Sequence, residues 1–122
     1  MHKLSQNVML SKHFKRYEFA CKCGCGFSTP DPELLALLEK IRVYFNEPVS
    51  INSACRCEAH NAAVDGAKNS THLMGIAADI VVKNVTPNQV ESFMMELYPS
   101  KHGRSAYNTF THVDVRENMA HW

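Results

Sequence analysis

The sequence predicts an α+β domain in which a small antiparallel sheet is packed with helices. Three observations carry that expectation. Leu34, Leu38, Ile41 and Phe45 recur at helical spacing. Val49–Ser53, residues 76–82 and residues 110–115 read as short strands, two alternating and the middle one apolar and β-branched. Helices and strands come in segregated order with short connections, which favours antiparallel pairing over long crossovers.

Each element has a local reason. The first thirty residues are mixed in pattern, with Phe14, Tyr17 and Phe19 as expected core anchors. Asp31 can cap the first helix and Pro32 suits its first position. Leu35, Leu37 and Tyr44 widen its apolar face, and Asn46 and Pro48 end it. Residues 58–64 read as a short helix stopped near Gly66. The strand at 76–82 is apolar apart from Asp79. Thr86, Pro87 and Gln89 form a capping-box start for a helix with Val90, Phe93, Met94 and Leu97 on one face, closed by Pro99. There is no internal repeat, low-complexity segment or linker. With 122 residues, the expectation is one domain spanning 1–122.

Composition excludes several function classes. Hydrophobic residues make up 45% and charged residues 20%, an ordinary globular balance. The formal net charge is +1, which gives no electrostatic case for nucleic acid, and no basic run adds one. No stretch approaches the roughly 20 apolar residues of a membrane helix. Residues 1–12 lack the apolar core of a signal peptide. The expectation is a monomer made in the cytoplasm without a signal peptide.

The chemistry concentrates in Ser70-Thr71-His72-Leu73-Met74-Gly75-Ile76-Ala77-Ala78-Asp79. A carboxylate inside an apolar strand must meet a cation, a metal or strong donors, because burying it unpaired is costly. His72 lies seven residues earlier in the sequence, and Gly75 allows a sharp turn between them. A third donor is available in Thr111-His112-Val113-Asp114-Val115, where strand alternation puts His112 and Asp114 on one face. Two imidazoles, one carboxylate and a water make a tetrahedral zinc site with an open position. Asp114, about 7 Å along the strand from His112, is placed to accept the water's proton. Taken singly, His72 reads as a structural or surface histidine. Asp79 alone reads as a partner of Arg56 or a turn cap, and His112 with Asp114 as a solvated strand face. The joint pattern carries the site.

Ser-x-His-x-x-Gly-x-Ala-x-Asp followed by a late His-x-Asp strand resembles the zinc D-Ala-D-Ala carboxypeptidases and L-Ala-D-Glu endopeptidases of peptidoglycan, which share a fold with the Hedgehog signalling domain. The resemblance covers nearly the whole chain. Leu10-Ser11-Lys12-His13-Phe14 and Glu18-Phe19-Ala20-Cys21 look like that family's N-terminal segment. Ile51-Asn52-Ser53-Ala54-Cys55-Arg56 is similar to its strand end, followed by His60-Asn61. Tyr107, Phe110, the strand at 111–116 and Trp122 resemble its C-terminal motif.

The resemblance implies His72, Asp79 and His112 as zinc ligands. It implies Arg56 as the group holding a substrate carboxylate or a developing oxyanion, and Ser70 and Tyr107 as substrate contacts. Better-known branches place a Glu or Asp three residues before the last ligand as catalytic base. Here that position is Thr109, so Asp114 is the expected base and His121 the expected general acid. The implied function is hydrolysis of a peptide bond in a peptidoglycan stem peptide. A chain without export signal or separate wall-binding domain suits a phage or prophage endolysin that reaches the wall after release.

Two other readings stay open. One is a non-catalytic zinc-containing wall-binding or structural module, favoured by Thr109. The other is a cysteine-based redox or zinc-sensing protein. Cys21, Cys23, Cys25, Cys55 and Cys57 form two clusters. A second, structural zinc at Cys21, Cys23, Cys25 and Cys57, a link between the clusters, and buried free thiols are the alternatives.

Overall fold

The computed structural model describes residues 8–68 and 70–122; His2 lies outside them. A 3-10 turn, Arg16–Phe19, precedes helix α1, Pro32–Phe45. Asp31 caps α1 by accepting from the Glu33 amide. Strand β1 is Val49–Ser53, helix α2 Glu58–Ala63 and strand β2 Ala77–Val82. Helix α3, Pro87–Leu97, starts with the capping box of Thr86 and Gln89. Strands β3, Gly103–Ala106, β4, Thr111–Asp114, and β5, Ala120–His121, complete the chain.

The five strands lie in the order β1-β2-β4-β3-β5. The pairs β1·β2, β2·β4 and β3·β4 are antiparallel, and β3·β5 is parallel. The sheet is therefore mixed at one edge rather than wholly antiparallel as expected. The physical reason is that residues 107–119 contain both β4 and a return loop, so the short β5 arrives beside β3 in the same direction. Helices also interleave with strands instead of segregating. Even so, β1 and β2 pair antiparallel, because the chain between them turns back on itself through α2 and the 3-10 turn Thr71–Met74.

Strand alternation divides the sheet into two faces. Ala78, Ile80, Val82 and Val113 join Leu34, Leu37, Leu38 and Ile41 of α1 and Val90 and Met94 of α3 in one core. Phe14 and Phe19 close that core in an edge-on pair, 6.0 Å between centroids. Tyr17, expected as a third anchor, is instead 53% exposed, because the intervening 3-10 turn points it outward. Asp79, His112 and Asp114 project from the opposite face.

Two further histidines are structural. The His13 ring pairs with Glu39 at 2.5 Å. His102 is buried, donates from Nδ1 to the Arg116 carbonyl at 2.8 Å and faces Glu33. Among the described residues no helix is long and apolar enough to cross a membrane.

Candidate metal centre

The register of the sheet builds the site. Asp79 stands at the centre of β2, directly opposite His112 of β4 and paired on its other side with Ser53 of β1. His72 reaches the same point from the turn Thr71–Met74. Ser70 caps that turn by accepting from the His72 amide at 3.2 Å. Gly75 ends it at φ +71, where an added Cβ would sit 3.0 Å from the Thr29 carbonyl. A side chain there would be both strained and crowded, so the bend that delivers His72 depends on glycine.

Three donor atoms converge. His72 Nε2 lies 3.2 Å and His112 Nδ1 3.0 Å from the same Asp79 oxygen, Oδ1. His72 Nδ1 is 2.7 Å from the Ala54 carbonyl, which can only accept, so the proton is on Nδ1 and Nε2 presents a lone pair. His112 Nε2 lies 2.9 Å from Asp114 Oδ2, which likewise draws the proton to Nε2 and leaves Nδ1 toward Asp79. Two lone pairs and a carboxylate oxygen at one point, all on buried residues, repel one another unless a cation joins them. One donor atom from each of the three residues fits within a 4.8 Å span, the reach of a single ion. Burial alone would raise the Asp79 carboxyl. Without a cation, protons on the two imidazoles take its place: bonds from His112 and His72 then outweigh burial and hold the group well below the usual carboxylate range.

The donors open onto a cleft of about 500 Å³. Arg56, Ser70, Thr71, Tyr107, Phe110, Arg116 and Trp122 line it with the three donor residues. Arg56 sits at its inner wall with Nη2 3.3 Å from Asp79 Oδ2, Nη1 3.1 Å from Asn61 Oδ1 and Nε 3.1 Å from Ser53 Oγ. Trp122 packs 4.9 Å from the His112 ring, donates to the Tyr107 hydroxyl at 2.7 Å and carries the Arg116 guanidinium over its face. Tyr107 in turn stacks on Phe110.

Two residues expected to do acid–base chemistry are not brought to the cleft. Asp114 is fully buried, with both oxygens occupied. Oδ1 accepts from the amides of Gly103 and Arg116, and Oδ2 from His112 and the Arg116 guanidinium at 2.6 Å. These bonds outweigh burial and hold its carboxyl far below the usual range, so it is a poor acceptor for a further proton. Its place is behind His112, where it orients the imidazole and raises its basicity, as carboxylates behind zinc-binding histidines do. His121 is on the edge strand, exposed and paired with Glu91 at 3.2 Å, away from the cleft lining.

Thr71 and Arg116 also line the cleft, outside the expected site residues. Thr71 Oγ1 donates to Asp114 Oδ2 at 3.3 Å, and nothing in the sequence marks it. Arg116 follows Asp114 by two residues, the same-face spacing of an extended chain, and that spacing was the available signal.

Gly103 makes the Asp114 cradle. A Cβ there would lie 2.4 Å from Asp114 Oδ2. Gly103→Ala is therefore expected to destabilise the fold by about 1–3 kcal/mol, as overpacking does. Urea denaturation of the variant beside the parent protein measures it.

Two imidazole nitrogens and one carboxylate oxygen beside an open cleft form the donor set of a catalytic zinc centre. The family model described as Peptidase M15 matches residues 12–114, and the chain belongs to that family. The family is zinc-dependent, which agrees with the chemistry of these donors. Comparison with curated proteins finds no match.

Proposed function

We propose that the protein is a zinc-dependent peptidase that hydrolyses a peptide bond in peptidoglycan stem peptides, with residues 1–122 acting as one domain. The observation that carries this reading is the convergence of His72, Asp79 and His112 at the floor of a cleft that also holds the Arg56 and Arg116 guanidinium groups. When bound there, zinc acidifies a water and polarises the scissile carbonyl. Arg56 presents its planar fork to a substrate carboxylate or to the oxyanion that develops on the carbonyl. Ser70 and Tyr107, both in the cleft lining, contact the peptide. The two bonds that fit this class are D-Ala-D-Ala, cut by a carboxypeptidase, and L-Ala-D-Glu, cut by an endopeptidase. Action on the wall after release, as in a phage or prophage endolysin, completes the proposal.

Purified peptidoglycan digested by the zinc-loaded protein and analysed by mass spectrometry tests it. New peptide termini, absent with a His72→Ala control, are expected, and their masses name the bond. No new termini from a protein that holds its zinc would overturn it.

One observation favours a second reading, a non-catalytic zinc-containing wall-binding module. Among the described residues that line the cleft, the only carboxylate and imidazoles are the three zinc donors themselves, and Thr109 is an exposed threonine. The same digestion separates the two readings.

Arg56→Lys is expected to lower kcat/KM by roughly 10²–10³, the cost of losing one oxyanion donor. Steady-state assays at saturating zinc check this. If added zinc restored the activity, Arg56 would serve only to hold Asp79.

A further inference from the structure

Outside the cleft lies a second cluster of metal-binding side chains. Cys21, Cys23, Cys25 and Cys57 bring four sulfurs within 4.8 Å of one another, and none of the four lines the cleft. The Sγ separations are 3.4 Å for Cys21–Cys23, 3.5 Å for Cys23–Cys57 and 3.9 Å for Cys21–Cys57. A tetrahedral zinc with Zn–S bonds of about 2.3 Å places its sulfurs about 3.8 Å apart. A disulfide needs about 2.05 Å. The separations therefore match the edges of a tetrahedron around an ion and not a bond between sulfurs.

The backbone is arranged to match. The loop that carries three of the cysteines is closed at its base by the Cys21 amide on the Phe27 carbonyl at 2.8 Å. Gly24 and Gly26 take φ +81 and +96, conformations that let successive cysteines point toward one another despite their tight alternate spacing. Two amides point at sulfur: Cys57 N to Cys21 Sγ at 3.5 Å and His60 N to Cys57 Sγ at 3.4 Å. Such bonds stabilise thiolates, the form that binds metal. Cys55 stands apart, buried in the apolar core with its thiol pushed up to about 12 by that burial.

We propose that Cys21, Cys23, Cys25 and Cys57 bind a structural zinc ion that clamps the loop at 21–27 to the start of α2. On binding, the four thiols lose their protons to solvent and the sulfurs fill all four positions, so the site is closed to substrate. Its consequence lies in the neighbouring segment. Cys57 follows Arg56 directly, and Ala54 supplies the carbonyl that fixes the His72 tautomer. The clamp thus anchors the stretch that orients both a catalytic ligand and the guanidinium.

The test uses the full chain purified under reducing conditions. Zinc analysis is expected to find two ions per chain, one for each donor group. The His72→Ala/Asp79→Ala variant is expected to keep one, and its cobalt(II) form to show thiolate-to-metal charge transfer. Cys23 and Cys25 are exposed, so Cys23→Ser/Cys25→Ser spares the core; it is expected to lose that band while the His72-Asp79-His112 site still binds. Alkylation of Cys23 and Cys25 should be slowed by roughly tenfold or more in zinc and restored by a chelator. A His72→Ala/Asp79→Ala protein that binds no metal, or alkylation of Cys23 and Cys25 that is indifferent to zinc, would overturn the proposal. So would disulfides that a chelator does not open. None of these outcomes depends on peptidase activity.

Discussion

His72→Ala is expected to abolish binding of the catalytic zinc and to lower kcat/KM by about 10³ or more. The metal's charge stabilisation in the transition state is worth several kcal/mol, and each 1.4 kcal/mol or so is tenfold in rate. The variant also leaves the Ala54 carbonyl without its donor and Asp79 with one imidazole instead of two. Circular dichroism is expected to stay near that of the parent, because the hydrophobic core faces the other side of the sheet. Metal analysis and stem-peptide hydrolysis, measured on the same preparation, check both halves. Activity that survived the loss of that zinc would show that His72, Asp79 and His112 are not the reaction centre.

The second large effect is at Asp114. Asp114→Asn keeps the shape but replaces an acceptor on Arg116 and His112 with a group that must turn an NH₂ toward one of them. Breaking a buried pair by removing one partner costs about 3–5 kcal/mol. The lower end is expected, because Arg116 is one-third exposed and can reach water. Removing the carboxylate behind a zinc-binding histidine also costs about 10–100-fold in metal affinity. The variant should therefore melt at lower temperature, bind zinc more weakly and regain part of its activity at saturating zinc. A residue acting as general base would give another pattern: unchanged zinc affinity and stability, with lost kcat that zinc does not rescue. Thermal melts and competition with a chromophoric chelator distinguish the two.

Much of the candidate metal centre was legible because its proposed ligands obey local rules. Asp79 is a charge inside an apolar strand, and such a charge needs a partner wherever the strand ends up. The spacing of His72, Gly75 and Asp79 marks a turn feeding that strand, and His112 lies on a second strand of the right pattern. Other features carried no such mark. Gly103–Ala106 has no β-branched residue and includes Arg104, which is buried. Arg104 is tolerated in the interior because its guanidinium caps the carbonyls of Met94 and Tyr98 at the end of α3 and that of Lys101 in the loop beyond it. That compensation lies in another element and is invisible to a period-two pattern. The two-residue β5 is too short for any pattern at all.

By itself, then, the sequence determined the candidate donor set, the helices with their caps, and the three strands that carry or flank the site. It did so through rules that act over a few residues: alternation, helical period, capping and the cost of a buried charge. Only the tertiary structure decided which atoms meet. Alternation put His112 and Asp114 on one face, but the register that sets Asp79 against His112 leaves Asp114 behind the imidazole, locked by Arg116 and the Gly103 amide. Its role as base was lost to that packing, and His121 was drawn to Glu91 by the parallel edge strand. The reason is range. A side chain's chemistry belongs to its residue, whereas the partner that occupies its lone pairs is chosen by strands joined far apart in the chain.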